Sequence, residues 1–178
     1  MDNSQQKKHI FINEEKIGNR NSITISGKIE VLVSSKNRLF CKELIYFTLI
    51  EDYNIDESFT MFLRGFDIYN IIAALEDIKT NSSTKYRKYT DSGKSKNSIN
   101  SLNKYLNFNI ENEVFHININ SKDNNNNERK HIGVKFDLFE INGIIEVLKS
   151  FMNEYKNAFY KTQRYYEKIN DKNKKALL

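Results

Sequence analysis

The sequence lacks the residues on which several classes of protein depend. Cys41 is its single cysteine, which excludes an internal disulfide and a metal site built from several thiolates. No apolar stretch reaches the roughly 18 residues that span a bilayer. Residues 1–6 are polar, with no apolar segment behind them. We therefore expect a protein that is neither secreted nor inserted in a membrane, located in the cytoplasm, or on the nucleoid if it is bacterial.

Sequence signatures of catalysis are also missing. The chain has six glycines and no proline, and its glycines do not form a phosphate-cradling loop or a nucleophile elbow. His9, His116 and His131 are far apart on strand-like segments. Cys41 lies in the apolar run 39–50, which predicts a strand residue rather than a nucleophile. We expect no enzyme activity, no cofactor and no metal site.

One segment of the chain occurs twice. Residues 65–71, GFDIYNI, open an apolar helical run, and residues 135–141, KFDLFEI, open another seventy residues later. Each copy follows a block of strand-like sequence. The offset also superposes the apolar positions of the two runs, namely Ile71 on Ile141, Leu75 on Ile145 and Ile78 on Leu148. A duplicated unit of strands and one helix restricts the architecture before any single residue is interpreted.

The 178 residues, 39% of them hydrophobic, suit one globular domain. We predict a flexible lead at 1–8, a single domain at 9–155 and a basic, aromatic C-terminal helix or tail at 156–178. Within the domain, the first repeat spans about 9–80, a basic connector 81–101, and the second repeat about 102–155.

Apolar alternation predicts the strands. They are a short strand at 9–13 and longer ones at 22–34, 38–52, 58–64, 102–111, 114–120 and 129–136. Gly27, in the middle of the second, predicts a bulge or a bend. The connector 81–101 is rich in Ser, Thr, Asn and Lys, which indicates a mobile connection or a loosely formed hairpin.

The two helices are predicted from their caps and apolar spacing. The first should have Asp67 as N-cap and run from about Ile68 to Lys79. The second should begin at Leu138 behind a capping box formed by Asp137 and Glu140, and can continue past Met152 because no breaker follows.

This order of strands and helices resembles the Whirly family of single-stranded DNA-binding proteins. The resemblance is best in the second half: Gly93-Lys94-Ser95 in a basic linker, the strands 106–111, 115–119 and 132–134, and the capped helix after them. It covers most of the chain, although residues 26–31, SGKIEV, stand where plant members have lysine-glycine-lysine-alanine-alanine-leucine. The tandem unit is also similar to the one that positive-cofactor coactivators carry once per subunit, and the Pur proteins share the plan.

The resemblance implies an α+β fold with tandem strand-helix units, pseudo-twofold symmetry, and two antiparallel sheets with two helices packed between or against them. It also implies a homo-oligomer, dimer or tetramer, that binds single-stranded DNA without membrane attachment. The process would be DNA maintenance, replication, repair, transfer or transcription regulation. RNA is possible as the partner of the same fold.

Charge and aromatic residues indicate where such binding would occur. Residues 82–106 include six basic residues and one acidic residue. The tail from residue 153 onward includes seven basic and three acidic residues. Nonspecific binding of a single strand needs cations for phosphates and rings for bases. The candidate nucleic-acid-binding residues are Lys28, Arg38, Phe40, Lys42, Tyr46, Tyr86, Arg87, Lys88, Tyr89, Lys94, Lys96 and Lys104.

Each candidate has an alternative interpretation. Phe40 and Tyr46 can be core residues of a strand, and the segment 86–89 can be a solvated charge run. A different class of function is a protein-interaction module in which the aromatic C-terminal helix binds a partner. Its aromatic residues are Tyr155, Phe159, Tyr160, Tyr165 and Tyr166.

Overall fold

The computed structural model describes residues 8–53, 58–81, 86–91, 102–111, 114–123 and 129–175. Four strands precede each helix there, whereas three strands were predicted before the second helix. Their bounds are β1 Lys8–Gly18, β2 Ser22–Val33, β3 Leu39–Ile50, β4 Phe59–Leu63, α1 Gly65–Thr80, β5 Tyr86–Asp91, β6 Leu102–Glu111, β7 Val114–Asp123, β8 Arg129–Asp137 and α2 Glu140–Lys175.

The strands form two four-stranded sheets, one in each repeat. Sheet A has the order β1-β2-β3-β4 and sheet B the order β5-β6-β7-β8. Every pair of neighbours is antiparallel, so each sheet is a simple meander. The α+β class and the duplicated plan of two antiparallel sheets with two helices are confirmed.

The core is one apolar cluster to which both sheets and both helices contribute. Inward residues of sheet A, such as Ile25 and Phe47, belong to the same cluster as Phe115 and Val134 of sheet B. The six helical positions that superpose between the repeats are all buried: Ile71, Leu75, Ile78, Ile141, Ile145 and Leu148. The repeat in the sequence is therefore a repeat of the core stripe.

The helix of the second repeat packs on the sheet of the first. α2 contacts β1, β2 and β3. The Tyr155 hydroxyl donates to the Lys28 carbonyl (2.8 Å) and accepts from the Leu44 N–H (3.1 Å). Fifteen residues on, the Asn170 side chain accepts from the Leu39 N–H (3.0 Å) and donates to the Leu39 carbonyl (2.8 Å). These two attachments fix the C-terminal half of α2 along sheet A.

Gly27 makes room for the attachment at Tyr155. A Cβ on Gly27 would lie 2.4 Å from Cδ2 of the Tyr155 ring. The bulge predicted at Gly27 in β2 is wrong. The irregularity lies in the neighbouring strand β1, between Phe11 and Asn13. The glycine permits close approach of a helix to the sheet, which is the other common reason for a glycine inside a strand.

The start of α1 corrects a second prediction. Asp67 is not the N-cap: α1 begins at Gly65, and Arg64 is the N-cap. Asp67 is the third helical residue, and its carboxylate accepts the Arg64 N–H at 3.0 Å. The Gly65 N–H donates to Glu43 Oε2 at 2.9 Å. Because Glu43 lies in β3, the local sequence could not reveal that the first turn had a partner.

α2 begins at Glu140 rather than Leu138. Glu140 Oε2 accepts the Asp137 N–H at 2.8 Å, which is one arm of the predicted capping box. The helix then runs to Lys175, which confirms that it continues past Met152. Neither helix, over the residues described, is both long enough and apolar enough to cross a membrane.

Two strands differ from their predictions. β1 extends to Gly18, well past the predicted end at residue 13, although residues 14–16 are all charged. The connector contains a strand, β5, where a mobile connection or a hairpin was predicted. Both are edge strands. Their extended conformation comes from backbone pairing with β2 and β6, because their own side chains lack the apolar alternation that predicts a strand.

Candidate nucleic-acid interface

Sheet A has one surface that turns away from the helices. In β3 the odd-numbered residues from Ile45 to Leu49 are buried, whereas the even-numbered residues are exposed or half-buried. We call the surface with these even-numbered residues the outer face. Its aromatic and basic residues are Phe11 and Lys16 in β1, Lys28 in β2, Phe40, Lys42 and Tyr46 in β3, and Phe62 in β4.

Four of these side chains form a line across the sheet, with one member from each strand. Phe11 pairs in register with Lys28. Lys28 Nζ lies 5.0 Å from the centroid of the Tyr46 ring. Tyr46 pairs in register with Phe62, and the ring centroids are 4.8 Å apart at an interplanar angle of 61°. We call Phe11, Lys28, Tyr46 and Phe62 the aromatic diagonal.

The aromatic diagonal is open to a ligand. Phe11 is 57% exposed and Phe62 is 48% exposed, which is unusual for phenyl rings in a folded protein. Lys28 forms no ion pair with a carboxylate among the described residues, and its contact with the Tyr46 ring contributes only about 0.5–1 kcal/mol at an exposed site. Its ammonium group can therefore bind a phosphate without first breaking a strong interaction.

Phe40 and Lys42 extend the outer face toward the start of β3. Phe40 is 45% exposed. Lys42 Nζ lies 3.8 Å from Glu30 Oε2, and this carboxylate is almost entirely buried. An ion pair with an exposed lysine is worth about 0–1 kcal/mol, but it offsets part of the Lys42 charge. Lys28 is therefore the stronger candidate for a phosphate contact.

The chemistry of the outer face suits unpaired bases. A base stacked on an exposed ring gains roughly 1–3 kcal/mol, whatever its identity, because every base has a π-face. In a duplex those faces are covered by the neighbouring base pairs. Rings at both ends of the aromatic diagonal, with a cation between them, therefore favour a single strand over a duplex and give little discrimination between bases.

Solved structures of plant proteins have a similar fold. The structure of WHY1 from Arabidopsis thaliana matches with a TM-score of 0.57 at 12% identity, over 82% of this chain and 92% of that one. WHY3 from Arabidopsis thaliana matches with a TM-score of 0.60 at 13% identity, over 86% and 95%. The plant transcriptional regulator PBF-2 matches with a TM-score of 0.57 at 10% identity, over 93% and 98%.

The chain has a Whirly-type fold. No protein-family model matches it, and no curated protein matches it in sequence. At 10–13% identity the likeness establishes the Whirly-type fold alone.

On this Whirly-type fold, the outer face brings together Lys28, Phe40, Lys42 and Tyr46, four of the predicted residues. Arg38 precedes β3 and borders a cavity with Glu167, Asn170 and Asp171 of α2. The carboxylates of Glu167 and Asp171 border the same cavity, so the local charge around Arg38 is not purely positive. Arg38 is thus the weakest candidate of the first repeat.

The candidates of the second repeat lie in or near β5 and β6. Tyr86, Arg87, Lys88 and Tyr89 are residues of β5, and their backbone pairs with residues 105–108 of β6. Lys104 pairs in register with Thr90. The side chains of these five candidates fall outside the described part of the structure, as do Lys94 and Lys96 altogether. Their roles remain predictions.

Sequence reasoning missed two residues of the aromatic diagonal, Phe11 and Phe62. A signal for Phe62 was present, because it alternates with the apolar Met61 and Leu63 of the same short strand. Phe11 was hidden by the bulge in β1, which reverses the alternation between Phe11 and Asn13. Only the register with Lys28 places Phe11 on the outer face.

Two residues that were considered for catalysis, Cys41 and His131, have surroundings typical of residues without a catalytic role. Cys41 is a free, half-buried thiol. Burial raises its pKa, and the nearby Glu167 carboxylate raises it further, so the thiol stays protonated near neutral pH. His131 Nδ1 lies 2.7 Å from Asn120 Oδ1. Across the described ranges, no three His, Cys, Asp or Glu side chains are placed to hold a metal ion.

The aromatic residues of the C-terminal helix divide into two groups. Tyr155 is fully buried against sheet A, and Phe159 is half-buried beside it, with ring centroids 6.4 Å apart. Tyr160 and Tyr165 are more than half exposed. Part of the predicted partner-binding helix is therefore occupied by the protein's own sheet.

Proposed function

We propose that this protein is a non-enzymatic, largely sequence-tolerant single-stranded DNA-binding protein and that the outer face of sheet A is its binding surface. The observation that carries the proposal is the aromatic diagonal, in which three rings and Lys28, which forms no ion pair within the described ranges, cross all four strands. Contiguous exposed apolar patches rimmed by polar residues commonly mark interaction sites. Single-stranded DNA supplies both partners that this set of side chains lacks.

The fold supports the proposal in a coarser way. The sequence resembles the single-stranded DNA-binding Whirly family, and one structural neighbour, PBF-2, is a plant transcriptional regulator. We extend this to a role in DNA maintenance, transfer or transcription, in the cytoplasm or on a nucleoid.

Polarisation of a labelled oligothymidine of about 12 nucleotides, within the usual site sizes of small single-strand-binding domains, tests the proposal. We expect saturable binding at moderate salt that unlabelled duplex of the same length does not reverse. Absence of binding at low salt, or complete displacement by the duplex, would refute it. Competition by oligouridine separates DNA from RNA, because the outer face itself predicts no preference for either sugar.

We further propose that the protein self-associates through the exposed apolar residues near the starts of its two helices. Phe66 and Tyr69 lie on α1, and Phe139 just before α2, with exposures of 64%, 47% and 76%. Tyr69 and Phe139 occupy matching positions in the two repeats. A second copy would therefore contact a similar exposed ring near the start of each helix. Light scattering measures the molar mass, and a monomer at micromolar concentration would contradict this proposal.

A further inference from the structure

The C-terminal half of α2 has a row of positive charges on its solvent side. Lys161, Arg164, Lys168 and Lys172 are all exposed. They recur at steps of three and four residues, so they lie on one side of the helix. At about 1.5 Å per residue, they extend over roughly 16 Å. We call these four residues the cationic stripe.

The charges of the cationic stripe are not used within the protein. None of the four forms an ion pair with a carboxylate in the described part of the chain. The two acids on the same stretch of helix are Glu167, which accepts from Gln163 Nε2 (3.0 Å), and Asp171, which borders the cavity beside Arg38. With four cations against these two acids, this stretch of helix presents a net positive charge to solvent.

The cationic stripe is held in a fixed position. On the opposite side of α2, Tyr155 is bonded to β2 and β3, and Asn170 is bonded to Leu39. These attachments bracket Lys161, Arg164 and Lys168, with Lys172 two residues beyond the second, and they hold this part of the helix against sheet A. Because the helix backbone is already ordered, only the side chains of the stripe lose freedom on binding a rigid polyanion.

We propose that the cationic stripe is a second nucleic-acid site, which binds the phosphate backbone of double-stranded DNA independently of the outer face. A duplex carries one charge per about 1.7 Å of its axis, so the stripe spans several phosphates. The stripe and the outer face lie on opposite sides of sheet A and α2. If the proposed function of the outer face also holds, the protein would bind where a single strand leaves a duplex.

An anionic membrane is the competing polyanion, and the helix argues against it. Amphipathic helices bind membranes by inserting an apolar face beside their basic one. In α2 that apolar face, with Phe151, Met152 and Tyr155, is buried in the core. With that apolar face unavailable for insertion, a purely electrostatic partner fits the stripe better.

The test is polarisation of a labelled duplex of about 20 base pairs at salt concentrations from about 50 to 200 mM. The stripe variant is K161Q/R164Q/K168Q/K172Q, in which glutamine preserves helix propensity. The matched control removes four exposed lysines elsewhere, K36Q/K79Q/K135Q/K149Q, and so changes the net charge equally. A double variant, K161Q/K168Q, covers the case in which the full stripe variant does not fold.

We expect the stripe variant to bind duplex about 30-fold or more weakly at the lowest salt, with the salt slope reduced by up to about 3.6, or 0.9 per phosphate contact. The double variant should lose about half of that slope, and the control variant should change affinity less than threefold. An outer-face variant, F11A/Y46A/F62A, should bind duplex normally, so failure of the proposed function is distinguishable from failure of this inference.

Three results would overturn the inference. They are no duplex binding by the unmodified protein at about 50 mM salt, equal losses in the stripe and control variants, or duplex binding that is lost only in the outer-face variant. Binding of phosphatidylserine vesicles without binding of duplex would likewise reject it and assign the stripe to a membrane surface.

Discussion

The outer surfaces of the two sheets share a backbone plan but carry different side chains. On sheet A the outer face has exposed phenyl and phenol rings with lysines among them. On sheet B the corresponding side of β7 and β8 carries His116, Asn118, Asn120, His131 and Lys135. Among the side chains described on β7 and β8, this side has no Phe or Tyr ring; Tyr105 of β6, whose side chain is not among those described, pairs in register with Asn120 and with Tyr89. Over β7 and β8 the duplication has thus kept the core stripe and changed the surface.

This difference separates the inward positions of the sheets, which form the core, from the outward positions, which form the surface. The inward positions of both sheets must stay apolar, because they contribute to one core. The outward positions are free to change without loss of the fold. Sheet A therefore offers stacking surfaces, whereas β7 and β8 of sheet B offer amides and imidazoles that hydrogen-bond with one another, as His131 does with Asn120. The predictions below separate these two surfaces.

The largest effect should come from removing the rings of the aromatic diagonal. F11A/Y46A/F62A should weaken binding of oligothymidine about 100-fold or more, because each stacked base is worth roughly 1–3 kcal/mol. The matched triple on sheet B is N107A/N109A/H116A, which should change affinity less than threefold. Polarisation measures both, and an equal loss in the two variants would remove the distinction between the sheets.

Substituting alanine for the glycines of the two sheets should show a difference in stability. At Gly27 the new Cβ meets the buried Tyr155 ring, and G27A should cost about 1–3 kcal/mol of unfolding free energy. At Gly133 it meets Asn118 Oδ1, the end of a flexible surface side chain, so G133A should cost less than about 1 kcal/mol. Urea denaturation measures both variants.

G143A provides a third point for this series. Gly143 lies in α2 with nothing within 4 Å of its hypothetical Cβ. The substitution should stabilise the protein by up to about 1 kcal/mol through helix propensity. If G27A proves as harmless as G143A, the helix does not approach sheet A as closely as described.

Removing the Tyr155 hydroxyl should weaken the attachment of α2 to sheet A. Y155F should cost about 1–3 kcal/mol at neutral pH, because the Leu44 N–H and the Lys28 carbonyl lose a buried partner. Burial raises the pKa of Tyr155 above its usual value near 10. The neutral hydroxyl therefore contributes fully below about pH 10, and its contribution is lost as the pH rises beyond that value.

The pH dependence distinguishes this attachment from simple packing. Unfolding free energies of the unmodified protein and Y155F, measured at pH 8 and above pH 10, should differ less at the higher pH. A difference that is independent of pH would mean that the hydroxyl is not held in its neutral form by the fold.

The smallest effect should come from single lysines. K28Q should weaken oligothymidine binding about three- to tenfold and reduce the salt slope by about 0.7, the value for one phosphate contact with a single strand. K135Q removes the same charge from the outward side of sheet B and should leave both quantities unchanged. Titrations at several salt concentrations decide between them, and equal slopes for the two variants would contradict the role of Lys28.

Much of this fold was predictable from the sequence because its signals are local. The repeated segments at 65–71 and 135–141 gave the helices and their buried stripes. Alternation along β3 placed Phe47 on the inward face and Tyr46 on the outward face of the sheet, which predicted half of the candidate surface. Such patterns depend on spacing along one element, which the sequence contains directly.

What the sequence could not show depends on contacts between distant elements. The partner of the Gly65 N–H is in another strand, and the use of Gly27 is visible only once Tyr155 reaches sheet A. Phe11 joins the aromatic diagonal only through the register of β1 with β2 across a bulge. The strand conformation of β5 likewise depends on its pairing with β6 rather than on its own polar sequence.

The most direct test of the central claim is to map where a single strand lies on the protein. An oligothymidine in which 5-iodouracil replaces one base is cross-linked by light, and the attached peptides are identified by mass spectrometry. We predict cross-links to Phe11, Tyr46 and Phe62, with Phe40 as a further site. Cross-links concentrated on β7 and β8, with none on sheet A, would contradict the account.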